Sequence, residues 1–198
     1  MSNVLIIDDL VPKQLQDKIE KAFLSTGETN CNWFFHPASC GEENNPWVDL
    51  LKHRNVVEAP QFCHFMYDEE KGINSEYFNY VAPLLNILKQ EYTDVNFDIV
   101  RIKANLQLQN KLSCNEKHAA PHKDFDFGHH VFLYYMNDCD GDTFLFNELR
   151  NGEIEVVERV SPKKGRLVCF DGKWLHASSV PINSEYRAVL NMNIRITH

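Results

Sequence analysis

The sequence predicts an α+β, mainly β protein, with helices placed first and a closed or sandwiched antiparallel sheet of the jelly-roll kind after them. Three observations predict it. Helical spacing of apolar residues is confined to the first half of the chain. Beyond Phe97 the apolar period falls to two, and the turn clusters NDCDGD, RNGE, SPKKG and DGK punctuate one short run after another. The 198 residues are 43% hydrophobic, 24% charged and 12% aromatic, as expected of one folded domain. At that length roughly 70% of the unfolded chain's surface can be buried, so a core forms without disulfides or zinc. Residues 1–96 are expected to be a helical support and cap, and residues 97–198 the jelly roll.

Element by element, Val4 to Ile7 reads as a short strand. Asp8 and Asp9 follow as candidate caps, then Pro12 in a first turn and Leu15, Ile19, Ala22 and Phe23 at helical spacing, with Gly27 as the stop. From Thr26 to Asp49 the composition is that of a loop, with at most a short strand at Trp33 to Phe35. Tyr77, Phe78, Val81, Leu84, Leu85 and Leu88 mark a second helix between Asn74 and Tyr92; it either kinks at Pro83 or begins later than the stripe suggests. Ile99 to Gln109 alternates strictly, which makes a strand with two unlike faces. Further strands are expected at His130–Asn137, Thr143–Asn147, Glu153–Val160, Arg166–Phe170 and Ala188–Ile196.

Charge and cysteine usage narrow the partners. Lys and Arg number 20 against 28 Asp and Glu, a net charge of −8, which argues against nucleic acid. MSNVLIIDDL has no basic stretch leading into a long apolar run, and no segment has the roughly 18 apolar residues of a membrane span. A cytoplasmic location is expected, with no membrane partner. The six cysteines form no CxxC pair and read as reduced thiols.

Chemistry concentrates in four residues. His122 and Asp124, in PHKD, are two apart and in an extended segment share a face. His176, in WLHAS, follows the strand ending at Phe170 and can return to the same place in a rolled sheet. Two imidazoles and one carboxylate on one side of a metal form the facial triad of non-heme Fe(II) oxygenases, with three positions left open. Arg187 comes eleven residues after His176, at the start of the last strand, where its fork suits the far carboxylate of a dicarboxylic co-substrate.

With these residues in order, the sequence resembles the Fe(II)- and 2-oxoglutarate-dependent dioxygenases, in particular small bacterial and viral members similar to prolyl 4-hydroxylases. The resemblance runs from about Val100 to Ile196 and includes VFLYYMNDCDGDTFLFNE and GRLVCFDGKWLHASSVP. It implies a double-stranded β-helix, with His122, Asp124 and His176 as catalytic iron ligands and Fe(II), 2-oxoglutarate and O2 as cofactor and co-substrates. It also implies hydroxylation of a substrate C–H bond, such as that of a peptidyl proline, with release of succinate and CO2. Prolyl hydroxylases typically hold the distal carboxylate with Lys where this chain has Arg187; the superfamily elsewhere uses Arg. The odd face of the Arg101–Gln109 strand offers Lys103, Asn105 and Gln107 to the co-substrate or the prime substrate, and Asn105 and Thr143 are candidates near the co-substrate. Tyr134 and Tyr135 point to opposite faces, so one phenol serves 2-oxoglutarate, and the resemblance favours Tyr134.

Plainer readings stand beside these. His122 and Asp124 alone would make a surface pair, and Arg187 a strand-edge ion pair with Glu185 or an acidic neighbour. Cys114, His118 and His122 lie four apart like zinc ligands on a helix, but Pro121 interrupts it and no fourth ligand is near. His129 and His130 face opposite ways, one exposed and one satisfied inside. Trp33, Phe34, Phe35, Trp47 and Tyr67 read as the core of an N-terminal cap in preference to a substrate lid. The same site would equally serve a small metabolite, and a non-catalytic metal-binding jelly roll is the reading from another class.

Overall fold

The computed structural model describes residues 4–26, 31–38, 56, 59–114, 116–148 and 153–197. In chain order these form β1 (Leu5–Ile7), α1 (Lys13–Leu24), β2 (Phe34–His36), β3 (Gln61–Asp68), β4 (Gly72–Ile73), α2 (Phe78–Glu91), β5 (Asn96–Leu108), β6 (His130–Tyr135), β7 (Thr143–Glu148), β8 (Ile154–Val160), β9 (Leu167–Asp171), β10 (Leu175–Ser178) and β11 (Tyr186–Thr197). The expected helices and most expected strands are present. Three strands are additional: β3 and β4, in a stretch the periodicity left unassigned, and β10, which puts His176 inside a strand and not beyond one. Gly27, Trp47 and Cys40 lie outside the described residues.

All pairing within the sheets is antiparallel. The larger sheet runs β1-β9-β6-β11-β5-β3-β2 with β4 against β3, and the smaller runs β10-β7-β8. The N-terminal half therefore supplies more than helices, because β1 closes one edge of the large sheet and β2 and β3 extend the other. A period of two then sorts the side chains. Ile102, Ala104, Phe132, Tyr134, Leu190 and Met192 face Ile19, Phe23 and Leu84 of the helices, while Val131, Leu133, Tyr135, Val168 and Val189 meet Leu145 of the smaller sheet. Two apolar layers thus cover both faces of one sheet, the arrangement of a jelly roll supported by helices.

Helix α1 is not capped by the aspartates. Pro12 occupies the cap position without a side-chain bond, and Asp8 turns away to accept two hydrogen bonds from Arg166, Nε at 2.8 Å and Nη2 at 2.9 Å. Asp9 has a φ of 64°, so the chain reverses there in the left-handed region that Asp tolerates. Lys164 reaches from the turn before β9 to Asp17 and Glu20, pinning the outer face of α1 to the sheet. Helix α2 begins at Phe78, the second residue of its apolar stripe, and so carries Pro83 inside it instead of starting after it. Among the described residues no helix is long and apolar enough to cross a membrane. Leu84 is fully buried between helix and sheet, so Leu84→Ala is expected to cost about 2–5 kcal/mol, read as a lower urea midpoint with an unchanged slope.

Candidate functional site

His122 and His176 are brought together by the backbone. Their amides and carbonyls exchange hydrogen bonds in both directions at 3.0 Å, so the segment before Asp124 lies along β10 as a further edge of the small sheet. The two rings sit 4.7 Å apart between centroids. His122 Nδ1 is 3.1 Å from Ala120 O and His176 Nδ1 is 3.4 Å from Trp174 O. A carbonyl can only accept, so each Nδ1 carries a proton, and in a neutral ring Nε2 then keeps its lone pair. Burial, with the neighbouring His122, pushes the pKa of His176 down to about 3, which leaves its ring a neutral ligand at ordinary pH.

Asp124 completes the group. One ligand atom from each of His122, Asp124 and His176 lies within 4.8 Å of the others, the spread a single metal ion spans. The Asp124 side chain is only 3% exposed. Burial works to raise its pKa, but the cations Lys103 and Arg101 outweigh it and hold the carboxyl well below the usual range. Its Oδ1 accepts from Arg101 Nη2 at 2.6 Å, and Oδ2 from the amides of Asn191 at 3.1 Å and Asn193 at 2.9 Å.

Arg187 lies on the pocket side of β11, 3% exposed, with its hydrogen bonds directed away from Glu185. It donates from Nε to Gly141 O at 2.7 Å, from Nη2 to Thr143 Oγ1 at 2.8 Å, and from Nη1 to Gln107 Oε1 at 3.4 Å. Every one of these acceptors is neutral. Arg187, His122 and His176 line one pocket together with Lys103, Asn105, Thr143 and Asn191. Tyr134 is not among them. It is packed on the helical side of the sheet, while Tyr135 faces inward, donating to Thr143 Oγ1 at 2.6 Å beneath the Arg187 guanidinium. Of the two phases of the two-residue period, the structure places Tyr135 on the inner face of the sheet and Tyr134, which the resemblance favours, on the helical face. Sequence reasoning also passed over Arg101, Asn191 and Asn193. The signal was present in β11, where Arg187, Asn191 and Asn193 interrupt Ala188, Leu190, Met192 and Ile194 at alternate positions.

The plainer alternatives resolve locally. His118 lies between Phe144 and Phe146 with Nδ1 on Ala119 O, and among the described residues the triad is the one metal-capable group found. His129 is buried and His130 half-buried, and His129 is only partly satisfied, by Phe127 O. Trp33 packs on Phe23 and Tyr67 on Phe78, as a cap core requires, whereas Phe34 and Phe35 are 61% and 62% exposed. The five described cysteines are free thiols.

Neither a protein-family model nor a curated protein matches this sequence. Solved structures do match. A 2OG-Fe(II) oxygenase-family oxidoreductase from Burkholderia pseudomallei aligns over 97% of this chain and 84% of its own, with a TM-score of 0.62 and 12% identity. A prolyl hydroxylase from Trichoplax adhaerens, solved with a hypoxia inducible factor peptide fragment, aligns over 98% and 84% at 0.59 and 12%. The viral collagen prolyl hydroxylase of Paramecium Bursaria Chlorella virus-1, solved with 2OG, aligns over 98% and 96% at 0.53 and 11%. The chain has the fold of these oxygenases. At such identities the likeness speaks for architecture, and the site argues for itself.

Two supports of Arg187 give predictions. A Cβ on Gly141 would stand 2.8 Å from Ser179 O and 2.9 Å from Arg187 Cδ, so Gly141→Ala is expected to cost about 1–3 kcal/mol and lower the melting temperature by several degrees. Asp140 accepts from the amides of Ile182, Asn183 and Ser184 in the turn leading to Arg187. Burial opposes ionisation there, and these donors prevail, holding its pKa at about 2 against an ordinary 3.8. The stability this confers is complete above the ordinary value and lost as pH falls through about 2. The gap in unfolding free energy between wild type and Asp140→Asn should therefore be constant near neutrality and shrink toward pH 2.

Proposed function

We propose that the chain is an Fe(II)- and 2-oxoglutarate-dependent dioxygenase that hydroxylates a substrate C–H bond, with a peptidyl residue such as proline as the substrate class. One observation carries this reading. Two ligands of the metal-capable group, His122 and His176, line the same pocket as the buried Arg187 guanidinium, which among the described residues donates hydrogen bonds only to neutral acceptors. A buried cation facing only neutral acceptors favours an anion, and the pocket's charged lining residues, Lys103 and Arg187, are both cationic.

The residues fit the absent groups. His122 and His176 would hold Fe(II) through Nε2 and Asp124 through a carboxylate oxygen, a set that leaves three positions open. Bound iron and the 2-oxo acid supply oxidative decarboxylation and transfer of oxygen to the C–H bond, releasing succinate and CO2. Arg187 binds the distal carboxylate of the co-substrate, and Thr143 and Gln107, which now accept from it, keep its fork in plane. Tyr135 fixes the Thr143 hydroxyl by donating to it. Leu133 and Val189 give the pocket apolar walls that exclude water from the reacting atoms. Asn105 lies beside the co-substrate space, its Oδ1 held by the Cys63 thiol at 3.3 Å.

The peptide reading draws support from the pocket's open side. Cys63 pairs across to both Asn105 and Phe34, and Phe65 pairs with Lys103, so the exposed rings of Phe34 and Phe65 belong to the face that carries the pocket. An extended chain can lie along such a shelf. Two of the compared structures are prolyl hydroxylases.

Mixing protein, Fe(II) and 2-oxoglutarate without oxygen is expected to give a visible metal-to-ligand charge-transfer band, and admitting air should yield succinate. His176→Ala should abolish the band, while Arg187→Met should raise the 2-oxoglutarate concentration needed to half-saturate it by about 10–100-fold. Well-folded protein with neither band nor succinate would sink the reading.

A further inference from the structure

The three ligands are held by different means. His122 and His176 are fixed by reciprocal main-chain hydrogen bonds. Asp124 lies in a bend, and among the described residues no backbone hydrogen bond ties residues 123–128 to the rest of the chain. Its direction depends on side chains. Arg101 is the centre of them: Nη2 grips Asp124 Oδ1 at 2.6 Å, Nε donates to Asn193 Oδ1 at 3.1 Å, and the Asn193 amide returns to Asp124 Oδ2 at 2.9 Å. The three side chains close a ring of hydrogen bonds in which each oxygen of the carboxylate has its own donor. The guanidinium also lies over Phe125 at 4.5 Å, Phe125 stacks on Phe127 at 4.8 Å, and Arg195 covers Phe127 at 5.1 Å. The residues that follow the ligand are thus stacked between two arginines of the large sheet.

We propose that Arg101 is the positioning residue for the carboxylate ligand, setting the direction of Asp124 Oδ2 and with it the metal affinity of the site. The inference rests on the metal reading above. A guanidinium beside a metal site also repels a dication, so its two effects on affinity have opposite signs. With Oδ1 and Asn193 both engaged by one planar fork, orientation is the effect that wins: without it the Asn191 and Asn193 amides hold the carboxylate at Oδ2 alone, and its rotation must be ordered anew for each binding event.

The test is Co(II) binding to the metal-stripped full-length protein, followed by calorimetry and by the cobalt d–d absorption bands, with His122→Ala as the control for the site. Arg101→Gln is expected to weaken binding by about 10–100-fold and to change the d–d bands, and Arg101→Lys, which keeps the charge but cannot bridge both partners, to fall between. Wild-type affinity with unchanged bands in Arg101→Gln, or tighter binding, overturns the proposal while leaving the metal reading intact. A wild type that binds no cobalt overturns both. If Arg101→Gln does not fold, Asn193→Ala removes the return bond without touching a charge; weaker binding with altered bands supports the proposal, and unaltered binding rejects it.

Discussion

The ladder between β5 and β11 is the constraint on which the rest of the molecule depends. Its register sets Arg187 opposite Gln107, Asn191 opposite Lys103 and Asn193 opposite Arg101. Two of the hydrogen bonds in the site, Arg187 to Gln107 and Arg101 to Asn193, are therefore cross-strand neighbours meeting directly. The intervening residues, Ile102, Ala104, Leu190 and Met192, carry the helices on the other face. A slip of one residue would exchange the two faces and put guanidinium groups against the helices and methionine into the pocket. The apolar core excludes that slip, so the packing that stabilises the fold also aims the site.

Electrostatics in this protein is local. The chain is acidic overall, with a net charge of −8, yet the charged residues lining its pocket are Lys103 and Arg187. Asp124 is almost wholly desolvated and persists as a carboxylate because cations surround it; Arg187 is desolvated as well and is met by dipoles alone. That asymmetry gives the pocket two distinct appetites, one end already anionic and coordinating, the other still cationic.

How much of this was legible in the sequence depended on whether a feature is local or set by pairing. Strict alternation gave β5, and turn clusters bounded β6 to β9, because both signals are written into consecutive residues. His122, Asp124, His176 and Arg187 stood out by type and order. Strand β3 did not, since QFCHFMYD carries apolar or aromatic residues at both parities and its register shifts between Phe65 and Tyr67, which breaks the alternation of a half-buried strand. Tyr134 and Tyr135 were separable only by phase, and phase is fixed by neighbours: Tyr135 pairs with Val189 on the inner face and Tyr134 with Leu190 on the helical one. Arg101 was invisible as a partner of Asp124 for the same reason, being 23 residues away on β5 while Asp124 lies in a bend.

The triad straddles the two sheets. His176 belongs to the small sheet and His122 is bonded to it, whereas Arg101, Asn191 and Asn193, which hold Asp124, stand on the large one. A cation seated among the three ligands is consequently a rivet through the seam of the sandwich. Its binding free energy would be shared with the cohesion of the two sheets at that end, so the seam between the sheets and the occupancy of the site would report on one another.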